Sequence, residues 1–267
     1  MKRPSFLPEF ENPPLDEVIL GIQFDPISGF NSFAAYQIWE HLKNELPRIE
    51  EQPLLTPQFE TFGGNPTQNG LKLQFGSGQP SSRFWFISQD ENHLVQLQHD
   101  RILLNWRKRS EDDSYPRFEN IRDIFSKNIS DISNVIQENY DQILQINQAE
   151  VTYINLVDVD DFNNIGEWIS TWRSPDFDIE VINMFFAEAI KDKDSRSFAR
   201  MHHEINSVFS QDGSTKAFRI GLTFRGKPVG KNVDDAIDFI TEGREKIVNR
   251  FTELTTEKAH KDWKRLK

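Results

Sequence analysis

The chain of 267 residues contains no cysteine. Disulfide bonds, thiolate catalysis and zinc sites built on thiolates are therefore excluded. The sequence also lacks any run of about 18 apolar residues, the minimum length of a membrane-spanning helix. Its N-terminal stretch has no apolar segment of the kind that signal peptides carry. We therefore expect a cytoplasmic protein with no membrane partner.

Basic residues are outnumbered by acidic ones. The 31 Lys and Arg residues stand against 42 Asp and Glu residues, which gives a formal charge of −11 at pH 7. Such a surface repels polyanions at long range, and nucleic-acid-binding proteins are more often basic. Nucleic acid is therefore a disfavoured partner, although it stays an alternative.

Aromatic residues are plentiful, with 22 Phe and six Trp. Each such ring buries roughly 150–250 Å² when it enters a core. A chain of this length and composition can form one large domain or two smaller ones that share a core.

Apolar periodicity predicts the elements of the first half. Residues 1–16 are rich in proline and are expected to form an extended arm. Val18, Leu20, Ile22 and Phe24 alternate with polar residues, which is typical of a half-buried strand. The remaining elements are a helix over 35–46, a mostly irregular stretch over 50–68, strands over 71–75, 83–87, 93–98 and 101–107, and a long helix whose apolar stripe runs from Phe118 to Ile143.

The second half repeats this order. Strands are predicted near 150–158, 178–190, 196–209 and 215–225, a short helix over 163–172, and a long helix that begins near Asn232–Asp235. A short terminal helix carrying Trp263 is expected after Thr256.

An internal match supports two related halves. Glu17, Val18 and Asp25 recur as Glu150, Val151 and Asp158, at an offset of 133 residues. We expect an α+β fold of two β-α-β(antiparallel)-α pseudo-repeats that form one curved antiparallel sheet with the long helices on one face. This arrangement resembles TATA-binding-like or helix-grip-like folds. The expected boundaries are an arm over 1–16, a first half over 17–146 and a second half over 147–267.

Both ends of the chain resemble one family. The stretch Asn12–Val18 (NPPLDEV), followed by Gly21–Phe24, is similar to the opening motif of an uncharacterised, sporadically distributed bacterial family. The C-terminal stretch Phe251–Trp263 is also similar to that family. The family has no established catalytic residues, so the resemblance implies none here. Its patchy distribution implies horizontal transfer, which is often seen for genes in defence or toxin–antitoxin neighbourhoods.

The polar face of the predicted sheet is the main candidate site. A sheet covered by helices on one side commonly leaves its other face in water. Arginines on a rigid sheet suit a carboxylate or phosphate, because the guanidinium group donates two parallel hydrogen bonds. The candidate binding residues are Arg101, Arg107, Arg200, His202, Glu204 and Arg219.

Other polar clusters favour structural roles. His202 and Glu204 share one face of a strand while His203 points to the other, which favours a polar pair and a core histidine over a metal site. The acidic run Asp158–Asp161 favours a helix cap over a cation site. Residues 226–231 lack the spacing of a phosphate-binding loop, and no cofactor or metal is predicted.

These observations favour a non-enzymatic binding or regulatory protein. Its expected partner is a protein or a small anionic ligand, and a homodimer is a further option. One alternative is an enzyme on the polar face with His202 and Glu204 as acid and base. Another is a saddle that binds nucleic acid through the same face.

Overall fold

The computed structural model describes residues 3–63, 82–173, 176–210 and 213–267. Within these residues nine strands form one antiparallel sheet, accompanied by five α-helices and one 3-10 helix. The first half consists of β1 (Leu15–Phe24), α1 (Ser32–Leu42), β2 (Arg48–Pro53), β3 (Ser82–Ile87), β4 (His93–Gln98), β5 (Arg101–Arg107) and α2 (Phe118–Tyr140). The second half consists of β6 (Ile146–Val159), a 3-10 turn (Phe162–Asn164), α3 (Ile165–Trp168), β7 (Asn183–Lys191), β8 (Ser197–Phe209), β9 (Lys216–Gly226), α4 (Val233–Leu254) and α5 (Glu257–Asp262).

The strands follow the order β2-β3-β4-β5-β1-β6-β9-β8-β7 across the sheet. The opening strands β1 and β6 are therefore neighbours at its centre, where Val18 lies opposite Tyr153 and Leu20 opposite Val151. The expected α+β class with a large antiparallel sheet is confirmed.

The core lies between one face of the sheet and the two long helices. Val18, Leu20, Ile22 and Phe24 are all buried on this face, as their alternation predicts. Helix α4 packs on β6 and β9, and α2 packs on β5 and α1. Gly243 allows the close approach of α4, because a Cβ atom there would lie 2.4 Å from the Phe224 ring and 2.7 Å from Val151.

The N-terminal arm is fixed to the C-terminus. Phe10 forms an isolated β-bridge with Arg265, and its ring lies 6.2 Å from that of Phe251 and 6.1 Å from that of Trp263. The arm thus covers one end of α4. No helix among the described residues is long and apolar enough to cross a membrane.

Three predicted elements differ from the structure. Residues 48–53 form the edge strand β2, which overlaps the start of the stretch 50–68 that was expected to be mostly irregular, because its polar sequence gives no apolar alternation. The α2 stripe was expected to reach Ile143, but the helix ends at Tyr140, where Asp141 adopts a left-handed φ of 50°. The helix predicted over 163–172 is only a 3-10 turn and the four residues of α3. The strand predicted over 71–75 lies outside the described residues.

Truncation of Phe125 tests the buried stripe of α2. Phe125 is completely buried, so Phe125→Ala should lower the free energy of unfolding by about 3–5 kcal/mol, as measured by urea denaturation. Ile143 is the matched control because its side chain is 69% exposed. We expect Ile143→Ala to change the free energy of unfolding by less than about 0.5 kcal/mol. Equal losses at the two positions would contradict the assigned core.

Candidate functional site

A strap of residues 54–63 lies across the polar face of the sheet. Buried glutamine side chains on three strands hold its backbone, because their amides supply the hydrogen bonds that an irregular segment cannot make with itself. The backbone N–H of Leu55 donates to the Gln98 side chain at 3.0 Å, that of Gln58 donates to Gln23 at 2.9 Å, and that of Glu60 donates to Gln148 at 3.3 Å. The expectation of an uncovered polar face is therefore wrong along this strap.

Glu60 anchors the far end of the strap in a cluster of basic side chains. Its carboxylate accepts hydrogen bonds from Arg200, from His202 Nε2 at 2.7 Å and from Arg225 Nε at 2.9 Å. The Glu60 side chain is only 4% exposed. Arg200 also donates to the Thr61 carbonyl oxygen at 3.0 Å. The cluster is a buried, charge-assisted carboxylate site that the chain fills with its own residue.

The environment of Glu60 holds it in its charged form. Burial alone would raise the pKa of the carboxyl group, but the hydrogen bond from His202 and the charge of Arg225 outweigh it and lower the pKa to about 2. The cluster thus stabilises the folded state while Glu60 is ionised. Its contribution is complete above about pH 4.5 and is lost as the pH falls towards about 2.

The other predicted binding residues are dispersed over the same face. Arg101 is buried and donates to Gln23 and to the strap carbonyl of Thr56. Arg107 donates to the Glu91 carbonyl oxygen at 3.1 Å. Arg219 and Glu204 form an exposed pair at 3.5 Å. Of the predicted residues, the structure therefore places Arg200 and His202 together against Glu60 and pairs Arg219 with Glu204, away from that cluster.

Of the roles expected for the other clusters, those of His203 and Asp161 are confirmed. His203 is buried in the core, where its Nε2 lies 3.2 Å from Glu188. Asp161 caps the 3-10 turn by accepting a hydrogen bond from the Asn163 backbone N–H at 2.9 Å. Within the described ranges, no three His, Asp or Glu side chains lie close enough to hold a metal ion.

A second site lies on the opposite, helix-covered side of the sheet. A cavity there is enclosed by the N-terminal arm, the central strands β1 and β6, the start of α2 and the middle of α4. The volume open to the centre of a water molecule in this cavity is about 70 Å³. This is several times the volume that one buried water needs. Its walls are mainly apolar and include Pro8, Phe10, Pro13, Leu15, Ile247, Val248 and Phe251.

Guanidinium groups supply the positive charge of this cavity. Arg244 from α4 is 2% exposed, and its Nε has no hydrogen-bond partner among the described residues. Its NH2 group lies 3.5 Å from Glu119. Arg3 from the arm also has an Nε without a described partner, and burial and the charge of Arg244 both lower the pKa of Arg3. Buried donors normally find acceptors, so these two represent unused binding capacity.

Two tyrosines complete the polar lining. The hydroxyl groups of Tyr115 and Tyr153 lie 3.0 Å apart. Burial raises the pKa of Tyr115 well above its usual range, and burial also raises that of Tyr153, where the charge of Arg244 offsets part of the effect. Both phenols therefore stay neutral. One hydroxyl group donates its proton to the hydrogen bond between the two, so the other hydroxyl proton is free to donate to a ligand.

Sequence reasoning missed this cavity. Arg244 interrupts an otherwise apolar surface of α4, and a charged residue is rarely so deeply buried unless it is paired. Tyr115 and Tyr153 come from segments far apart in the sequence, so no spacing relates them. The one available signal was the arginine at a position of α4 that faces the core.

Substitution of Glu60 tests the anchor of the strap. Glu60→Gln removes the charge that Arg200 and Arg225 share, so we expect the free energy of unfolding near neutral pH to fall by about 2–4 kcal/mol. The matched control is Glu204→Gln, which removes an exposed pair and should cost less than about 1 kcal/mol.

The pH dependence of the same variant gives an independent test. Between about pH 5 and about pH 3, the wild-type protein should lose more stability in urea than the Glu60→Gln variant, because Glu60 takes up a proton in the unfolded wild type over this range while it stays ionised in the folded state. Parallel stability curves over this range would show that Glu60 has an ordinary pKa and that the cluster is assigned wrongly.

Comparison with known proteins adds no family to these observations. No protein-family model matches the chain, and no curated protein matches it either.

Proposed function

We propose that the protein is a non-enzymatic binding protein for a small anionic ligand, which it holds in the cavity between α2, α4 and the N-terminal arm. The observation that carries the proposal is Arg244. This guanidinium is buried beside a cavity with an unused Nε donor. Leaving a buried donor unpaired costs about 1–3 kcal/mol, a cost that an anionic ligand in the cavity would remove.

The lining favours a carboxylate with an apolar body. A guanidinium fork and a phenol hydroxyl group can both donate to the oxygen atoms of a carboxylate. The remaining walls are rings and aliphatic side chains, which suit a hydrocarbon group. A free phosphate ion would satisfy the donors but leave those apolar walls without contacts.

The cavity has a route to the surface. Phe10, Pro13, Leu15, Tyr115 and Arg117 line both the cavity and a wider groove of about 480 Å³ beside it. The groove also contains Trp106 and Lys108. A ligand can therefore enter between the arm and the start of α2, past the acidic groove residues Glu11, Glu111 and Asp113.

The polar face of the sheet is a weaker candidate site than the cavity, because the other possible functions would all need residues of that face that are already in use. An acidic protein partner, an enzyme active site or a nucleic-acid saddle would each need Arg200 or His202, and both already contact Glu60. The strap carbonyl of Thr56 accepts from Arg101 in the same way. These contacts favour a structural role for the arginines and leave the cavity as the better site.

We also propose that the two halves arose by duplication. Glu17 lies opposite Arg107 in the first half, and Glu150 lies opposite Arg225 in the second. At the other end of the same strands, Gln23 lies opposite Arg101 and Leu156 lies opposite Arg219. An offset of 133 residues relates β1 to β6, and an offset of 118 residues relates their partner strands β5 and β9, which supports a repeat. Membership of the sporadic bacterial family likewise stays a proposal.

Calorimetric titration with small carboxylates tests the proposed function. We expect benzoate and hexanoate to bind the wild-type protein more tightly than inorganic phosphate does. Arg244→Met should weaken binding of these probes by at least about tenfold, because it removes a charged hydrogen-bond donor. Tyr115→Phe should weaken binding by a smaller factor while leaving the apolar walls in place.

Arg219→Gln serves as the control, since Arg219 lies on the opposite face of the sheet and should not affect binding. Absence of carboxylate binding to the folded wild-type protein would overturn the proposal. Unchanged binding by both the Arg244 and the Tyr115 variants would overturn it as well. If Arg244→Met does not fold, the Tyr115 variant decides alone.

A further inference from the structure

The two edges of the sheet differ in how they are protected. Natural proteins block edge strands with charged side chains, proline or short length, because an open edge pairs with other strands. Strand β2 has six residues, of which three are charged, and it ends at Pro53. Strand β7 has nine residues, contains no proline and has the sequence NMFFAEAIK. Its outer side pairs with no described strand.

Exposed apolar residues gather at the β7 edge. Phe185 and Phe186 are 64% and 46% exposed, although they lie in the middle of the strand. Phe177, Val181 and Phe209 are also exposed nearby in the chain or on the adjacent strand. The β7 edge is thus apolar as well as unprotected, a combination that marks an interaction surface.

Glu188, the charged residue in the interior of β7, does not protect the edge. Glu188 accepts hydrogen bonds from Arg250 Nε at 2.8 Å and Arg250 NH2 at 2.9 Å, and it lies 3.2 Å from His203 Nε2. These partners come from α4 and β8, on the inner side. The charge is therefore directed into the fold and leaves the outer side of the strand free to pair.

Charge at the two ends of β7 is complementary. Asp176, Asp178 and Glu180 precede the strand, whereas Lys191 and Lys193 lie at its end. The two lysines form no ion pair with the described chain, and the intervening acids Asp192 and Asp194 are both bound by Arg196. When two antiparallel copies of β7 lie side by side, the acidic end of each copy meets the basic end of the other.

We infer that β7 pairs antiparallel with β7 of a second copy of this chain, which joins the two sheets into one. The self-complementary ends favour a second copy over an unrelated strand. Only one edge of each sheet is open in this way, so the pairing closes as a two-fold dimer and does not propagate into a fibre. The charge of −11 on each copy opposes this association at long range.

Sedimentation equilibrium of the full chain tests the dimer. From micromolar to submillimolar concentration, the wild-type protein should reach twice the 31.2 kDa mass of one chain. Ala187 and Ala189 are exposed on β7, so the double variant Ala187→Lys with Ala189→Lys places like charges along the paired edge and should be monomeric. Ile49→Lys places one charge on the other edge strand and should dimerise like the wild type.

Hydrogen exchange of the wild-type protein gives a test without substitutions. Backbone amides of β7 should exchange more slowly as protein concentration rises, whereas those of β2 should not change. A wild-type protein that stays monomeric over this range would overturn the inference. Loss of the dimer in Ile49→Lys, with retention in the folded double lysine variant, would also overturn it. If the double variant does not fold, the concentration dependence of β7 exchange decides.

Discussion

The antiparallel ladder between β1 and β6 is the interaction on which the rest of the structure depends. It extends from the Leu15–Asn155 pair to the Phe24–Ile146 pair and joins the first strand of each half. Without it the chain would form two small sheets, each with an additional open edge. Because the strands pair, one continuous face carries both long helices over a single core. The same ladder brings Leu15 and Tyr153 into the wall of the cavity.

The buried charge of Glu60 is fully paired on the polar face of this sheet, whereas that of Arg244 is incompletely paired on the helix-covered face. On the polar face, Glu60 is surrounded by Arg200, His202 and Arg225, and its charge is balanced within the chain. On the helix side, Arg244 is at least as deeply buried; it lies over the Phe118 ring and pairs with Glu119 at 3.5 Å, but its Nε is unused. Breaking a buried pair is costly because the remaining charge is uncompensated. A satisfied cluster is thus expected to preserve the fold, whereas an unsatisfied one can gain free energy from a ligand.

The periodicity of apolar residues was sufficient to predict most helices and strands. It was insufficient to predict the Glu60 cluster or the cavity. Phe218, Ile220, Leu222 and Phe224 alternate and are buried, and the position of His203 in the core follows from the same period of two. The strap has no such period, and its anchor joins Glu60 to residues that lie 140 to 165 positions later in the chain. Contacts of that separation depend on the order of strands in the sheet, which periodicity does not encode. The polar face looked open in the sequence because the residues that cover it carry no regular signal.

The partners of the strap have a consequence for folding. They lie on β4, β5, β1, β6, β9 and β8, six strands that are consecutive in the sheet and come from both halves. No smaller part of the sheet offers the complete set of acceptors and donors. Contacts between residues so far apart in the sequence form slowly, because the chain loses the entropy of loop closure before the contacts stabilise it. A fully docked strap therefore requires that both halves have assembled.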